Sequence, residues 1–110
     1  MTVTAKPLIE GKLAENAQTT QYTATGVRTI IDKFTGNNSS GAPATLTINL
    51  VPSASAAGTS NQVVSKTLAA GETYTFPEVV GHVLAAGDFI STLAGTASAI
   101  SIRSSGREIN

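Results

Sequence analysis

The side chains able to do chemistry are few and far apart. His82 is the single histidine, cysteine is absent, and the seven carboxylates include Asp32, Glu72, Glu78 and Asp88. A histidine acting as general base needs a carboxylate to orient it and a nucleophile within reach. Glu78 is close in sequence, and Arg28 completes the best set the chain offers. Gly81 beside His82 marks an irregular connection, however, so His82 reads as a hydrogen-bonding group of a loop or an interface. Zinc requires three or four His or Cys ligands, and the chain offers one histidine. A glycosidase pair requires two carboxylates about 5–10 Å apart in one cleft. With one histidine and carboxylates separated along the chain neither is expected, and no calcium loop, GxxxxGK[ST] run or GxGxxG run is present. Asn38-Ser39-Ser40 is a formal glycosylation acceptor, and because MTVTAKPLIEGK does not read as a signal peptide it is expected to go unmodified. The expectation is a chain with no catalytic residues, no metal and no cofactor: not an enzyme.

Charge narrows the partners. Seven Lys and Arg balance seven Asp and Glu, and only 13% of the 110 residues are charged, about half the usual share. The cations Lys6, Lys12, Arg28, Lys33, Lys66, Arg103 and Arg107 are scattered along the chain, whereas phosphate binding needs them clustered. This predicts no nucleic acid. No apolar run is long enough to span a bilayer, which predicts no membrane. Synthesis in a cytoplasm, without export by a standard signal, is the matching expectation. A surface of Thr, Ser, Asn, Ala and Gly repels a neighbour of its own kind only weakly.

The elements that must position these groups are strands. VRTIIDKFT (27–35) carries apolar groups on both faces and is expected deep in a sheet, with Ile30, Asp32 and Phe34 sharing one face. GNNSSGAP (36–43) reads as a turn. ATLTINLV (44–51) alternates strictly, with Leu46, Ile48 and Leu50 inward and Thr45, Thr47 and Asn49 outward. SASAAGTSN (53–61) is a small-residue loop, expected exposed and mobile. QVVSKTLA (62–69) is the next strand. Leu68-Ala69-Ala70-Gly71-Glu72 returns as Leu84-Ala85-Ala86-Gly87-Asp88. This echo predicts two equivalent corners, each with glycine at positive φ and an acid accepting backbone N–H groups. Between them PEVVGHVL (77–84) is expected to cross from sheet to sheet. DFISTLA (88–94) and ASAISIRS (97–104) follow, and Gly106 precedes a short end.

Seven to nine short strands with turns every 8–12 residues predict an all-β fold: a single antiparallel β-sandwich or jelly-roll-like domain over 19–110. Residues 1–18 are richer in charge and form either an extended arm or a first strand.

The succession QTTQYTA, VRTIIDKFTGNNSSGAPATLTINLV, LAAGETYTFPEVVGHVLAAGDFIS and ASAISIRSSGREI resembles small virion proteins of tailed bacteriophages, over residues 18 to 110. The resemblance implies a structural protein of the virion, a capsid decoration (cement) protein that ties the head together. It implies assembly with copies of itself as a homotrimer, and with the major capsid protein or other virion proteins as partners. A head–tail connector or collar, a tail-fibre attachment protein, and a carbohydrate- or receptor-binding module are the alternatives. Interface positions expected on this reading are Lys6, Leu8, Ile9, Lys12 and Leu13 in the N-terminal segment, and Val79, Val80 and His82 between the corners.

Overall fold

The computed structural model describes all 110 residues. Nine strands form two antiparallel sheets packed face to face. Sheet 1 has the order β1 (Val3–Leu13), β9 (Ile100–Ile109), β3 (Arg28–Asn38), with β6 (Thr73–Tyr74) and β7 (Val83–Leu84) both on the far side of β3. Sheet 2 has the order β2 (Thr19–Thr23), β8 (Phe89–Ala94), β4 (Ala44–Val51), β5 (Gln62–Leu68). One core lies between them, built from Ile31, Phe34, Leu46, Ile48, Leu68, Phe76, Ile90, Ile100 and Ile102. Fully burying each of these large side chains contributes about 1.5–3 kcal/mol. Phe76 stacks edge-on to Phe34 at 5.5 Å and to Tyr74 at 4.9 Å.

The N-terminal segment enters the sandwich as β1, paired with β9. Leu8 and Ile9 are core residues, 6% and 3% exposed. Their placement on consecutive positions is possible because register shifts flank Ile9 on both sides, and such bulges re-aim side chains.

Strand β3 departs from simple alternation for the same reason. A register shift between Ile31 and Lys33 puts Ile31 and Phe34 on the core face, so Phe34 does not share a face with Ile30 and Asp32. The strand also runs three residues past its expected end. Gly36 is there for packing: a Cβ would lie 2.8 Å from the Phe76 ring. The turn is made one step later by Asn38, whose side-chain oxygen accepts from Ser40 N and Oγ at 3.0 and 2.7 Å. Its amide nitrogen donates to the carbonyls of Ala42 and Leu68. Asn38 is fully buried, so the formal glycosylation acceptor is a structural amide. Strand β9 likewise continues through Gly106, where a Cβ would meet Ile30 O at 2.2 Å.

The two corners match the echo. Gly71 and Gly87 have φ of 78° and 92°, a region open to glycine and strained for other residues. Glu72 accepts Ala69 N at 2.7 Å; Asp88 accepts Ala85 N at 2.9 Å. Each corner also exchanges two backbone bonds with one residue of a neighbouring strand end. Gly71 N donates to Asn38 O and Asn38 N to Glu72 O; Gly87 N donates to Ala24 O and Ala24 N to Asp88 O. The first corner carries the chain from sheet 2 to sheet 1, the second from sheet 1 back to sheet 2.

Residues 77–84 therefore do not cross between sheets. β6 and β7 lie along opposite ends of β3, Gly36 facing Tyr74 and Ile30 facing Val83. The residues between them bow out of a single interrupted edge strand. Val79 points from that bow into the core at 0% exposure, and Gly81 and His82 rejoin β3 through backbone bonds to Ile31.

The 53–61 loop is exposed, and it is also tied down by two amides. Asn49 Nδ2 donates to Gly58 O and Asn61 Oδ1, and Asn61 donates to Ala56 O and accepts from Gly58 N. Asn49 points outward as its alternation requires, and it is 3% exposed because this loop lies over it.

Candidate interaction surfaces

The residues that suggested chemistry are dispersed by the fold. His82 is exposed on the edge of sheet 1 and borders a shallow groove of about 330 Å³ with Asn61, Gln62, Val83 and Asp88. Glu78 and Arg28 do not line it. Both Asp88 oxygens are occupied, one by Ala85 N and one by Ser53 N at 3.0 Å. Glu78 accepts from the Tyr74 hydroxyl at 2.8 Å, which raises the Tyr74 pKa. No three His, Asp or Glu side chains converge, and no helix is long and apolar enough to cross a membrane.

The expected interface residues divide into two groups. Leu8, Ile9 and Val79 are interior, and in this fold they hold the sandwich closed rather than meet a partner. Leu13 at 48% exposure and Val80 at 41% are outside, with Val83 at 59% beside His82. Val83 was missed because its alternation with Leu84 becomes legible only once β7 is known to pair with β3. Lys6 lies 3.5 Å from Glu108, and Lys12 2.7 Å from Glu15. The Lys12 bond, followed by one from Gln21, holds the Glu15 carboxyl below its ordinary pKa.

Three-dimensional structure sorts charge in a way the linear chain hides. Sheet 1 strands carry Lys6, Glu10, Lys12, Arg28, Asp32, Lys33, Arg103, Arg107 and Glu108. That set holds six of the seven cations, so the scatter along the chain does not persist in space. On the outer side of this sheet Arg107 grips Asp32 through two bonds of 2.9 and 2.8 Å. The pair depresses the Asp32 pKa and raises that of Arg107. Arg103 donates to Glu10 O. A groove of about 390 Å³ beside it is lined by Leu13, Thr35, Asn37 and Ser101.

Sheet 2 is the opposite. Strands β2, β4 and β8 contain no ionisable side chain apart from Tyr22, and β5 contains only Lys66. Lys66 reaches toward sheet 1, its ammonium 4.8 Å from the centre of the Tyr74 ring. The outward face of β4 and β5 is a ladder of paired hydroxyls: Thr45 to Thr67 at 2.9 Å and Thr47 to Ser65 at 3.0 Å. Leu93 stands opposite Thr47 on the same face.

The sheet edges differ too. β1 carries Pro7, two lysines and two register shifts, all of which discourage another strand from pairing there. β5 has one register shift against β4, no proline and one lysine.

No protein-family profile matches the chain, and no curated protein matches it in sequence. A solved structure of similar fold is a chain from Bacillus endospore appendages, which form disulfide-linked pili. The two share 14% identity at a TM-score of 0.56, over 99% of this chain and 88% of that one. The likeness is one of fold, and this chain, having no cysteine, lacks the residue that a disulfide link needs.

Proposed function

We propose that this chain is a structural subunit of a larger particle and acts by surface contact, without catalysis. The observation that carries this reading is the partition of charge between the two sheets. One broad face is ionic and slightly basic; the other is neutral and hydroxyl-rich, suited to close approach by another surface. The finer assignment is a bacteriophage virion protein that decorates the capsid, made in the host cytoplasm and retained on the head. It takes its support from the succession of strand and turn motifs described above. Immunogold labelling of intact particles tests it. Label spread over the head is the expected result. Label confined to the head–tail axis assigns a connector or collar, and the absence of label on particles overturns the virion reading.

A second reading, a subunit of a polymeric appendage, draws support from two observations. The fold is shared with a pilus chain, and the β5 edge carries little to prevent strand addition. Electron microscopy of the concentrated purified protein separates the readings: filaments favour the appendage, discrete particles the decoration protein.

A further inference from the structure

The geometry points to the outer face of sheet 2 as the surface on which a second copy of this chain docks, sheet 2 against sheet 2, in a two-fold dimer. This rests on the reading of the chain as a self-packing structural subunit and specifies which face does the packing.

Charge selects the face. Bringing sheet 1 against its own copy would gather Arg28, Lys33 and Arg103 of both copies into one dehydrated contact, with Asp32 already committed to Arg107. Like charges brought together with loss of water are strongly unfavourable. Sheet 1 against sheet 2 would strip water from those same cations and return no counter-charge. Sheet 2 against sheet 2 meets neither cost, because the strands present no outward charge.

Hydrogen bonding makes that face cheap to cover. Dehydrating an unpaired hydroxyl costs free energy unless a partner replaces water. Thr45 and Thr67 are already partners, as are Thr47 and Ser65. Each pair uses one O–H proton internally and keeps one to donate across an interface. Leu93, half-buried beside Thr47, supplies an apolar centre among these hydroxyls.

Area limits the contact. Four strands whose longest has 8 residues span about 20 × 25 Å at ordinary strand spacing and rise, and the 53–61 loop covers that face at Asn49. A stable dimer needs about 800 Å² from each partner, so the loops flanking the sheet must join the interface. Self-association of one patch is isologous, and two-fold symmetry closes it. This replaces the three-fold arrangement expected from the sequence.

The test is the mass of the purified full chain by light scattering and sedimentation equilibrium. Three variants accompany the wild type: Thr47→Lys and Ser65→Lys on the sheet 2 face, and Thr35→Lys on the sheet 1 face. Circular dichroism and thermal melting establish that each is folded. Ser65 is exposed on an edge strand, so S65K keeps the test open if T47K fails to fold. The expected result is twice the chain mass for wild type and T35K, with association weakened at least tenfold in T47K and S65K. A wild type that stays monomeric at every concentration overturns the inference, while the particle reading still stands or falls on immunogold labelling. An oligomer that survives T47K and S65K overturns the face assignment and leaves self-assembly standing.

Discussion

At the Leu68–Glu72 corner, a Cβ placed on Gly71 would meet nothing within 4 Å. At the Leu84–Asp88 corner, a Cβ on Gly87 would lie 2.4 Å from Ser53 Oγ and 2.8 Å from Ser53 Cβ. Backbone bonding at the two corners is otherwise the same, down to the paired exchange with Asn38 in one and Ala24 in the other. The five-residue motif thus encodes the turn, while the chain that happens to lie alongside decides what else each glycine must tolerate. The first corner stands by itself, and the second is also the anchor for the 53–61 loop.

Gly87→Ala and Gly71→Ala separate these two roles and carry the largest expected effect. Gly71→Ala incurs only the left-handed backbone conformation, about 1 kcal/mol. Gly87→Ala adds a collision with Ser53, for a total of about 2–4 kcal/mol. Urea denaturation of the two variants gives the difference directly. The cycle is completed by Ser53→Gly, which removes the colliding atoms. In the double variant the cost at Gly87 should fall to the Gly71 level. Equal costs at the two glycines, or no coupling to Ser53, would break the distinction.

A smaller difference is expected at the acids. Glu72 accepts one backbone N–H, from Ala69, and Asp88 accepts two, from Ala85 and Ser53. Bonds from backbone amides to a carboxylate at exposed positions are individually modest. Asp88→Ala should cost about 1–2 kcal/mol and Glu72→Ala about half of that. Proteolysis sharpens the measurement: loss of the Ser53 bond should open the 53–61 loop to cleavage in the Asp88 variant only. If both variants cut alike, Asp88 is not what holds the loop.

The corners also show where sequence reading works. A turn is local, so Gly-acid spacing was enough to place both corners, and alternation was enough to place β4. What depended on distant residues was hidden. Gly36 and Gly106 resemble turn residues along the chain, yet each sits within a strand because Phe76 or the Ile30 carbonyl occupies the space beside it. Leu8 and Ile9 were expected at an interface because bulges, which re-aim side chains, leave no mark in a pattern of alternation, and Val79 because a residue of an irregular connection has no period to show that it points inward. The neutral face was invisible for a related reason. Charge assigned to segments far apart in sequence converges only when β1, β3 and β9 become neighbours.

The two ends of the sandwich differ in how they respond to pH, and this gives the smallest effect. The Leu68–Glu72 corner docks on Asn38, an amide that does not titrate. The Leu84–Asp88 corner docks on Ala24, two residues beyond Tyr22. The Tyr22 hydroxyl donates to Glu108 and pairs with the buried Thr29, joining β2 of one sheet to β3 and β9 of the other. Burial, then the bond to Glu108, raises the Tyr22 pKa from 10.0 to about 12. A raised folded-state pKa means that below pH 10 the phenol is protonated in both states and its contribution is intact. Between pH 10 and 12 the unfolded chain loses the proton first, so stability falls with rising pH. Tyr22 remains partly solvated, and after allowance for screening the loss is about 1 kcal/mol or less. Wild type and Tyr22→Phe share every other side chain, so the difference between their declines isolates the phenol. The variant is expected to start less stable, having lost the clasp, and to show a shallower decline from pH 10 to 12 in urea midpoints. Parallel declines in the two proteins would mean that the clasp does not distinguish this end of the sandwich from the one built on Asn38.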